Sequence, residues 1–210
     1  MHTVAVTQLA KACPVMRRLI RAHGPCALEV NPRQPWEALL CAVAHQQLNA
    51  RAADSILRRF RALFPGKKFP RPADVLATPV ETLRGSGFSG GKIASIRDIA
   101  EKTQAGIVPT RAAALRLTDE ELIARLITLR GVGQWTVEML LIFTLGRGDV
   151  FPCDDFGVRQ GYMIAMKQPE MPKPKELRAA AERWRPHRTL AAWYFWRAAD
   201  AGKQPDRPLP

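Results

Sequence analysis

Two short stretches carry residue types able to do chemistry. In GRGDVFPCDDFGVRQG the neighbouring carboxylates Asp154 and Asp155 precede an apolar segment. Asp154 suits the cap of the helix that follows, whose first amides need an acceptor. That leaves Asp155 without a structural task, next to Phe156. An ionised carboxylate so placed can stabilise positive charge developing on a reacting group and can orient or deprotonate a water. Upstream, EELIARLITLRGVGQWTVEMLLIFTLG holds the turn Gly131-Val132-Gly133 between two amphipathic stretches. Glycines let the backbone take positive φ and approach a ligand closely, and the next helix offers unpaired N–H groups and a positive dipole end. Such a turn can hold a phosphate oxygen with no charged side chain. It equally suits a tight helix–helix turn packed by Val132. The carbonyls of Leu129 and Val132 could also hold a monovalent cation, Na or K.

Charge says what those two stretches would meet. The 210 residues include 32 Lys and Arg against 19 Asp and Glu, a formal charge of +13. A surface this basic repels itself unless a polyanion lies nearby, so DNA or RNA is the expected partner. No apolar run approaches the roughly 18 residues that span a membrane, and no secretion signal is read at the N-terminus. A cytoplasmic, bacterial-type protein is expected, associated with the nucleoid when bound. Cys13, Cys26, Cys41 and Cys153 are scattered without a C-x-x-C pair, which argues against zinc, an iron–sulfur cluster or a disulfide framework. No cofactor is expected beyond the hairpin cation. A carboxylate facing phosphates is repelled by them, so a basic chain that keeps one there uses it. Breaking a sugar–base bond builds oxocarbenium character on the sugar, and a carboxylate below the ring would stabilise it.

The elements that position these groups read as helices. Pro and Gly punctuate the chain, 3.6-residue periodicity recurs, and alternating strand patterns are absent. Pro35 opens PWEALLCAVAHQQL at a first-turn position. Thr78-Pro79-Val80-Glu81 and Thr118-Asp119-Glu120-Glu121 both match the Thr-x-x-Glu capping box. Ser89 precedes a helix with Ile93, Ile96 and Ile99 near one face. Further helices are expected over 4–23, 51–63, 119–128, 134–145, 156–167, 174–184 and 188–200. The fold class is all-α, of a length for two small lobes around a cleft.

The segments LRGVGQWTVEMLLIF and DVFPCDDFGVRQG together resemble the helix-hairpin-helix DNA glycosylase superfamily, in its AlkA-type 3-methyladenine DNA glycosylase II branch. The resemblance runs from about Pro35 to Asp200 and takes in HQQLNARAA, LRGSGFSGGKIASI and ERWRPHRTLAAWYFWRAAD. It implies two helical lobes flanking a DNA-binding cleft. One would be residues 1–34 with 155–210; the other would be 35–154 and carry the hairpin at approximately 119–145. The β-rich domain that some members carry in front is not expected here.

The resemblance implies roles residue by residue. Asp155 matches the catalytic aspartate, and Gly131 and Gly133 match the phosphate-binding amides, with Val132 between them. Trp135 and Trp196 match aromatic walls of the base pocket, where an electron-rich face favours a cationic alkylated purine. Gln46, Met139 and Phe156 would line the same pocket. Met139 and Phe156 stand where relatives often have an aromatic residue and a tyrosine, which makes the pocket more apolar. Gln47 would plug the gap left by the flipped nucleotide, and Arg130 and Arg159 would touch phosphates. Arg51, Lys92, Arg97 and Arg147 are further phosphate candidates, a minority of which would make contact. Relatives with lyase activity place a Schiff-base lysine where this chain has Trp135; a monofunctional hydrolase is implied. Trp184 and Trp193 are read as core, and His45 as a satisfied helix histidine. The expected activity is removal of alkylated purines, of the 3-methyladenine and 7-methylguanine class, from double-stranded DNA by a monomer. Two alternatives remain: a same-fold glycosylase for oxidised or mismatched bases, and a non-catalytic helix-hairpin-helix DNA-binding protein.

Overall fold

Prolines and short polar side chains open most of the helices. In the computed structural model, which describes residues 3–202, every regular element among those residues is helical. The α-helices in chain order are α1 (Thr3–Ala12), α2 (Pro14–His23), α3 (Pro35–His45), α4 (Ala50–Ala62), α5 (Pro72–Ala77), α6 (Val80–Gly85), α7 (Gly90–Gln104), α8 (Arg111–Ala114), α9 (Asp119–Leu126), α10 (Gln134–Leu140), α11 (Phe156–Met166), α12 (Pro174–Ala181) and α13 (Arg188–Gly202). Pro14, Pro35, Pro72 and Pro174 each stand in a first turn, where a missing N–H costs nothing. None of the described helices is long and apolar enough to cross a membrane.

Several sequence expectations need correction. The helix expected over 4–23 is two helices, because Pro14 cannot donate into the end of α1 and opens α2 instead. The Thr78 capping box does not form. Thr78 ends α5, its hydroxyl donating to the carbonyl of Asp74 at 2.8 Å, and Pro79 takes the N-cap of α6. The Thr118 box does form: Thr118 Oγ1 accepts from the amide of Glu121 at 3.1 Å, and Glu121 accepts from the amide of Thr118 at 2.7 Å. The stretch expected as one helix over 134–145 loosens into a π-turn at Leu141–Leu145.

The chain divides into two compact units, one of residues 31–145 and the other of the described residues up to Val30 together with those from Gly146 onward. The division falls at Gly146, not after Asp154, because the segment after Gly146 is fastened to the start of α13. Thr189 Oγ1 donates to the carbonyl of Arg147 at 2.7 Å, and the Asp149 carboxylate accepts from Arg188 Nε at 2.8 Å. At the other boundary, Asn31 N donates to Phe143 O at 2.7 Å and Gln34 Oε1 accepts from the amide of Arg111 at 3.0 Å. These bonds carry residues 31–34 into the 31–145 unit.

In the 31–145 unit, α7 lies against α3 and α5 and buries Ile93, Ile96 and Ile99. Phe60 sits among Phe64, Phe69 and Phe88, with ring centroids 5.4–6.2 Å apart. The other unit is organised by α11 against α13. Trp184 stacks on Phe151 at 5.4 Å and meets Tyr162 and Phe195, so it is core, as is the buried Trp193.

The α11–α13 approach depends on one glycine. A Cβ on Gly161 would come within 1.8 Å of the backbone oxygen of Phe195. No rotamer relieves a backbone clash, so the helices must separate and leave gaps along the seam. Gly161→Ala is expected to destabilise by about 3 kcal/mol, read from the urea midpoint of the variant. An unchanged midpoint would show that the helices do not pack this closely.

Candidate functional site

The residues singled out from sequence fall in both units. In the 31–145 unit the hairpin runs from α9 to α10, with Leu129 and Val132 buried beneath the turn. Gly131 has φ +74°, which favours glycine, and a Cβ there would lie 2.6 Å from Ser95 Oγ, so the hydroxyl would have to turn away. Gly133 differs. It is the N-cap of α10 with φ −96° and ψ 172°, a conformation open to any residue, and a Cβ there would meet nothing within 4 Å.

The backbone amides of the turn are unevenly occupied. The amide of Arg130 donates to Asp98 Oδ2 at 2.7 Å, and that of Val132 to the carbonyl of Leu129 at 3.2 Å. Lys102 Nζ bridges Asp98 at 3.0 Å and the carbonyl of Thr128 at 2.7 Å, holding both in place. The amides of Gly131, Gly133 and Gln134 meet no acceptor among the described residues. Free amides at the mouth of a glycine turn are what an anion needs.

Gln46 and Gln47 follow α3 in the same unit. His45 closes that helix as expected of a satisfied histidine, with Nδ1 2.8 Å from the carbonyl of Cys41 and Nε2 3.3 Å from Asp54. Gln46, expected in the base pocket, sends its amide to the hairpin, where Nε2 donates to the carbonyl of Gly131 at 2.8 Å. Gln47 is exposed and has φ +57°, a left-handed conformation that costs an L residue about 1 kcal/mol or more. Strain of this kind persists where surrounding contacts enforce it, and it clusters at working surfaces. Gln47→Gly is therefore expected to raise stability by about 1 kcal/mol, a Tm increase of roughly 2–4 °C, while slowing base release. A stabilised variant with undiminished turnover would leave Gln47 no role on DNA.

Met139 lines a cavity of about 250 Å³ in this unit, with Ala38, Ala42, Thr136, Phe143 and Arg33 around it. Trp135 is 43% exposed at the start of α10.

In the other unit Asp155, Phe156, Arg159 and Trp196 belong to α11 and α13 or their edges. Asp155, not Asp154, is the N-cap of α11. Its backbone is extended, with φ −67° and ψ 124°, and Oδ1 accepts from the amide of Val158 at 2.8 Å. Asp154 is exposed one residue earlier. Asp155 thus has a structural task as well, and the cap fixes its carboxylate at the end of a helix. The same Oδ1 accepts from Trp196 Nε1 at 2.8 Å. Gly157 makes room for that bond, since a Cβ there would lie 2.9 Å from Trp196 Cδ1. The expected catalytic carboxylate and one expected pocket wall are therefore in direct contact. Phe156, next to Asp155, is 62% exposed.

The basic candidates are partly spent on structure. Arg159 Nε donates to the carbonyl of Pro172 at 3.0 Å, Arg97 Nη1 to that of Thr78 at 3.3 Å, and Lys92 Nζ to that of Ala44 at 2.8 Å. Burial lowers the Lys92 ammonium below the usual lysine range. Arg130 and Arg51 are exposed. Sequence reasoning passed over Asp98 and Ser95, which shape the hairpin from α7. Ser95, Asp98 and Lys102 recur at helical spacing there, a signal that means something only once the hairpin is known to lie against it. Among the described residues no cluster of three or more His, Cys, Asp or Glu could hold a metal ion.

The family model described as HhH-GPD superfamily base excision DNA repair protein matches residues 40–186. A Schizosaccharomyces pombe protein named DNA-3-methyladenine glycosylase 1 is 44% identical over 167 residues, covering 80% of this chain and 73% of that protein. The structure of a fission yeast 3-methyladenine DNA glycosylase, Mag1, in complex with abasic DNA superposes with a TM-score of 0.84 at 40% identity, covering 93% of this chain and 96% of that one. A DNA-3-methyladenine glycosidase from Bacillus halodurans gives 0.86 at 28% identity, covering 95% and 91%.

Proposed function

The chain belongs to the HhH-GPD superfamily of base excision DNA repair proteins, and on that premise we propose that it is a monofunctional DNA glycosylase that hydrolyses the N-glycosidic bond of alkylated purines in double-stranded DNA and leaves an abasic site. The observation that carries this reading is the Asp155 carboxylate, held by the α11 cap and by the Trp196 indole at once. The relatives named for 3-methyladenine supply the substrate class.

Each part has a physical task. The amides of Gly131 and Gly133 take one phosphate oxygen, gripping the backbone without reading sequence, and Arg130 adds charge beside them. Gln47 enters the stack as the damaged nucleotide leaves it; flipping costs a few kcal/mol and least at damaged pairs, so selection begins before chemistry. Trp135 and Met139 in the 31–145 unit, and Phe156 and Trp196 in the other, are each apolar or aromatic surface of a kind that suits an extruded base. An alkylated purine is cationic, and the electron-rich faces of Trp135 and Trp196 favour it over a neutral base. Asp155 then stabilises the oxocarbenium character of the sugar while water attacks. Trp135 has no amine to form a sugar adduct, so the product keeps its strand intact.

The carbonyls of Leu129 and Val132 form a donor set of dipoles without a carboxylate, which suits a monovalent cation rather than a divalent one. The place of action in this reading is the cytoplasm of a bacterial-type cell, and the working unit is a monomer. The test is release of free bases from methylated duplex DNA, followed chromatographically. 3-Methyladenine and 7-methylguanine are expected; release of 8-oxoguanine or uracil alone, from duplexes carrying those bases, would overturn the substrate assignment.

A further inference from the structure

Gln46 connects two parts that the reading above treats separately. The amide bond is planar, so the C=O of one residue and the N–H of the next point in opposite directions. In the hairpin this alternates pinned and open planes. Between Leu129 and Arg130 the N–H is held by Asp98 and the C=O receives the amide of Val132. Between Gly131 and Val132 the C=O receives Gln46 Nε2 and the N–H returns to Leu129. The plane between these two carries the amide of Gly131 and the plane after the second carries that of Gly133, so each open amide borders the plane that Gln46 pins.

The same side chain begins the turn that carries Gln47. Gln46 has φ −55° and ψ 130°, Gln47 has φ +57°, and the amide of Leu48 donates to the carbonyl of His45 at 3.3 Å. This is a type II turn with glutamine in the position that ordinarily takes glycine. Lys92 Nζ on the carbonyl of Ala44 and the Asn49 cap of α4, accepting from Ala52 N at 2.9 Å, hold the two ends of the turn. Gln46 is the member whose bond reaches the hairpin, 85 residues away in sequence.

We infer that Gln46 is a positioning residue that locks the plug turn to the phosphate-binding hairpin, so that seating of the phosphate and insertion of Gln47 are set by one amide. The inference rests on the assignment of Gln47 as plug and of the hairpin as phosphate anchor. It makes the grip on the backbone and the opening of the stack a single event.

The test uses Gln46→Met, which keeps length but removes the donor, with Gln47→Ala and the double variant. The probe is a duplex with a tetrahydrofuran abasic site beside 2-aminopurine, whose fluorescence rises when it unstacks; single-turnover release from 7-methylguanine duplex is followed in parallel. Loss of one hydrogen bond corresponds to about tenfold. Gln46→Met is expected to weaken binding and slow release about tenfold, to lower the fluorescence change, and to leave Tm within a degree or two. The double variant should be little worse than the poorer single one, since both act on the same step. Multiplying losses, or a full fluorescence change with Gln46→Met, would overturn the lock. If Gln47→Ala alone leaves fluorescence and release untouched, the plug assignment fails, and the lock with it.

Discussion

Asp155→Asn is expected to lower base release on the order of 10³-fold, while DNA binding stays unchanged or tightens. The geometry makes this substitution cleaner than it would be at most active-site carboxylates. Oδ1 accepts from the amide of Val158 and from Trp196 Nε1, both at 2.8 Å, and an amide oxygen accepts both bonds equally. Asparagine is also as good an N-cap as aspartate. The variant therefore keeps both of these bonds, and with them the start of α11, while it loses the charge. Asp155→Ala should be just as inactive but less stable by about 1–2 kcal/mol, because it removes the cap and strands the indole N–H. The pair separates chemistry from folding: equal activity with unequal Tm places the charge in the transition state. Removing a negative charge among phosphates cannot weaken DNA binding by repulsion, so lost affinity would count against this placement. A non-catalytic DNA-binding protein would release no base in either form, and wild-type turnover overturns that alternative.

How much of this was legible in the sequence follows the range of the interactions. The Gly131-Val132-Gly133 turn and the Thr118 box are local, and spacing alone exposes them. So is the presence of a cap at the Asp pair, but which aspartate fills it is not. Both have the same side chain, and the choice rests on the extended backbone at Asp155 that aims Oδ1 at an amide three residues on. Thr78 fails for a related reason: its hydroxyl is already committed to the preceding helix through the carbonyl of Asp74. Helices α5 and α8, of six and four residues, are too short to show a period. The bonds that build the candidate site were the least visible. Gln46 to Gly131, Asp98 to Arg130 and Trp196 to Asp155 join residues 85, 32 and 41 positions apart. Nothing local distinguishes Gln46 from the glutamine beside it, so its partner had to come from the fold.

Gly133→Ala is expected to reduce affinity for abasic DNA by on the order of 10²–10³-fold with no loss of stability. At Gly133 the backbone lies at φ −96° and a Cβ meets nothing within 4 Å, so the free protein accepts a methyl group without strain. The methyl would stand in open space on the residue whose own amide the proposed phosphate needs, so it would crowd that phosphate and not the protein. A helix–helix turn that merely reverses the chain would tolerate alanine there in every respect. Gly131→Ala provides the contrast. Its φ of +74° and the 2.6 Å contact with Ser95 Oγ make alanine strained before any DNA arrives, so both stability and affinity should fall. Calorimetry with fluorescence anisotropy on a tetrahydrofuran duplex would separate the two variants. Normal affinity in Gly133→Ala would remove the hairpin from the DNA interface and leave backbone recognition to the basic side chains.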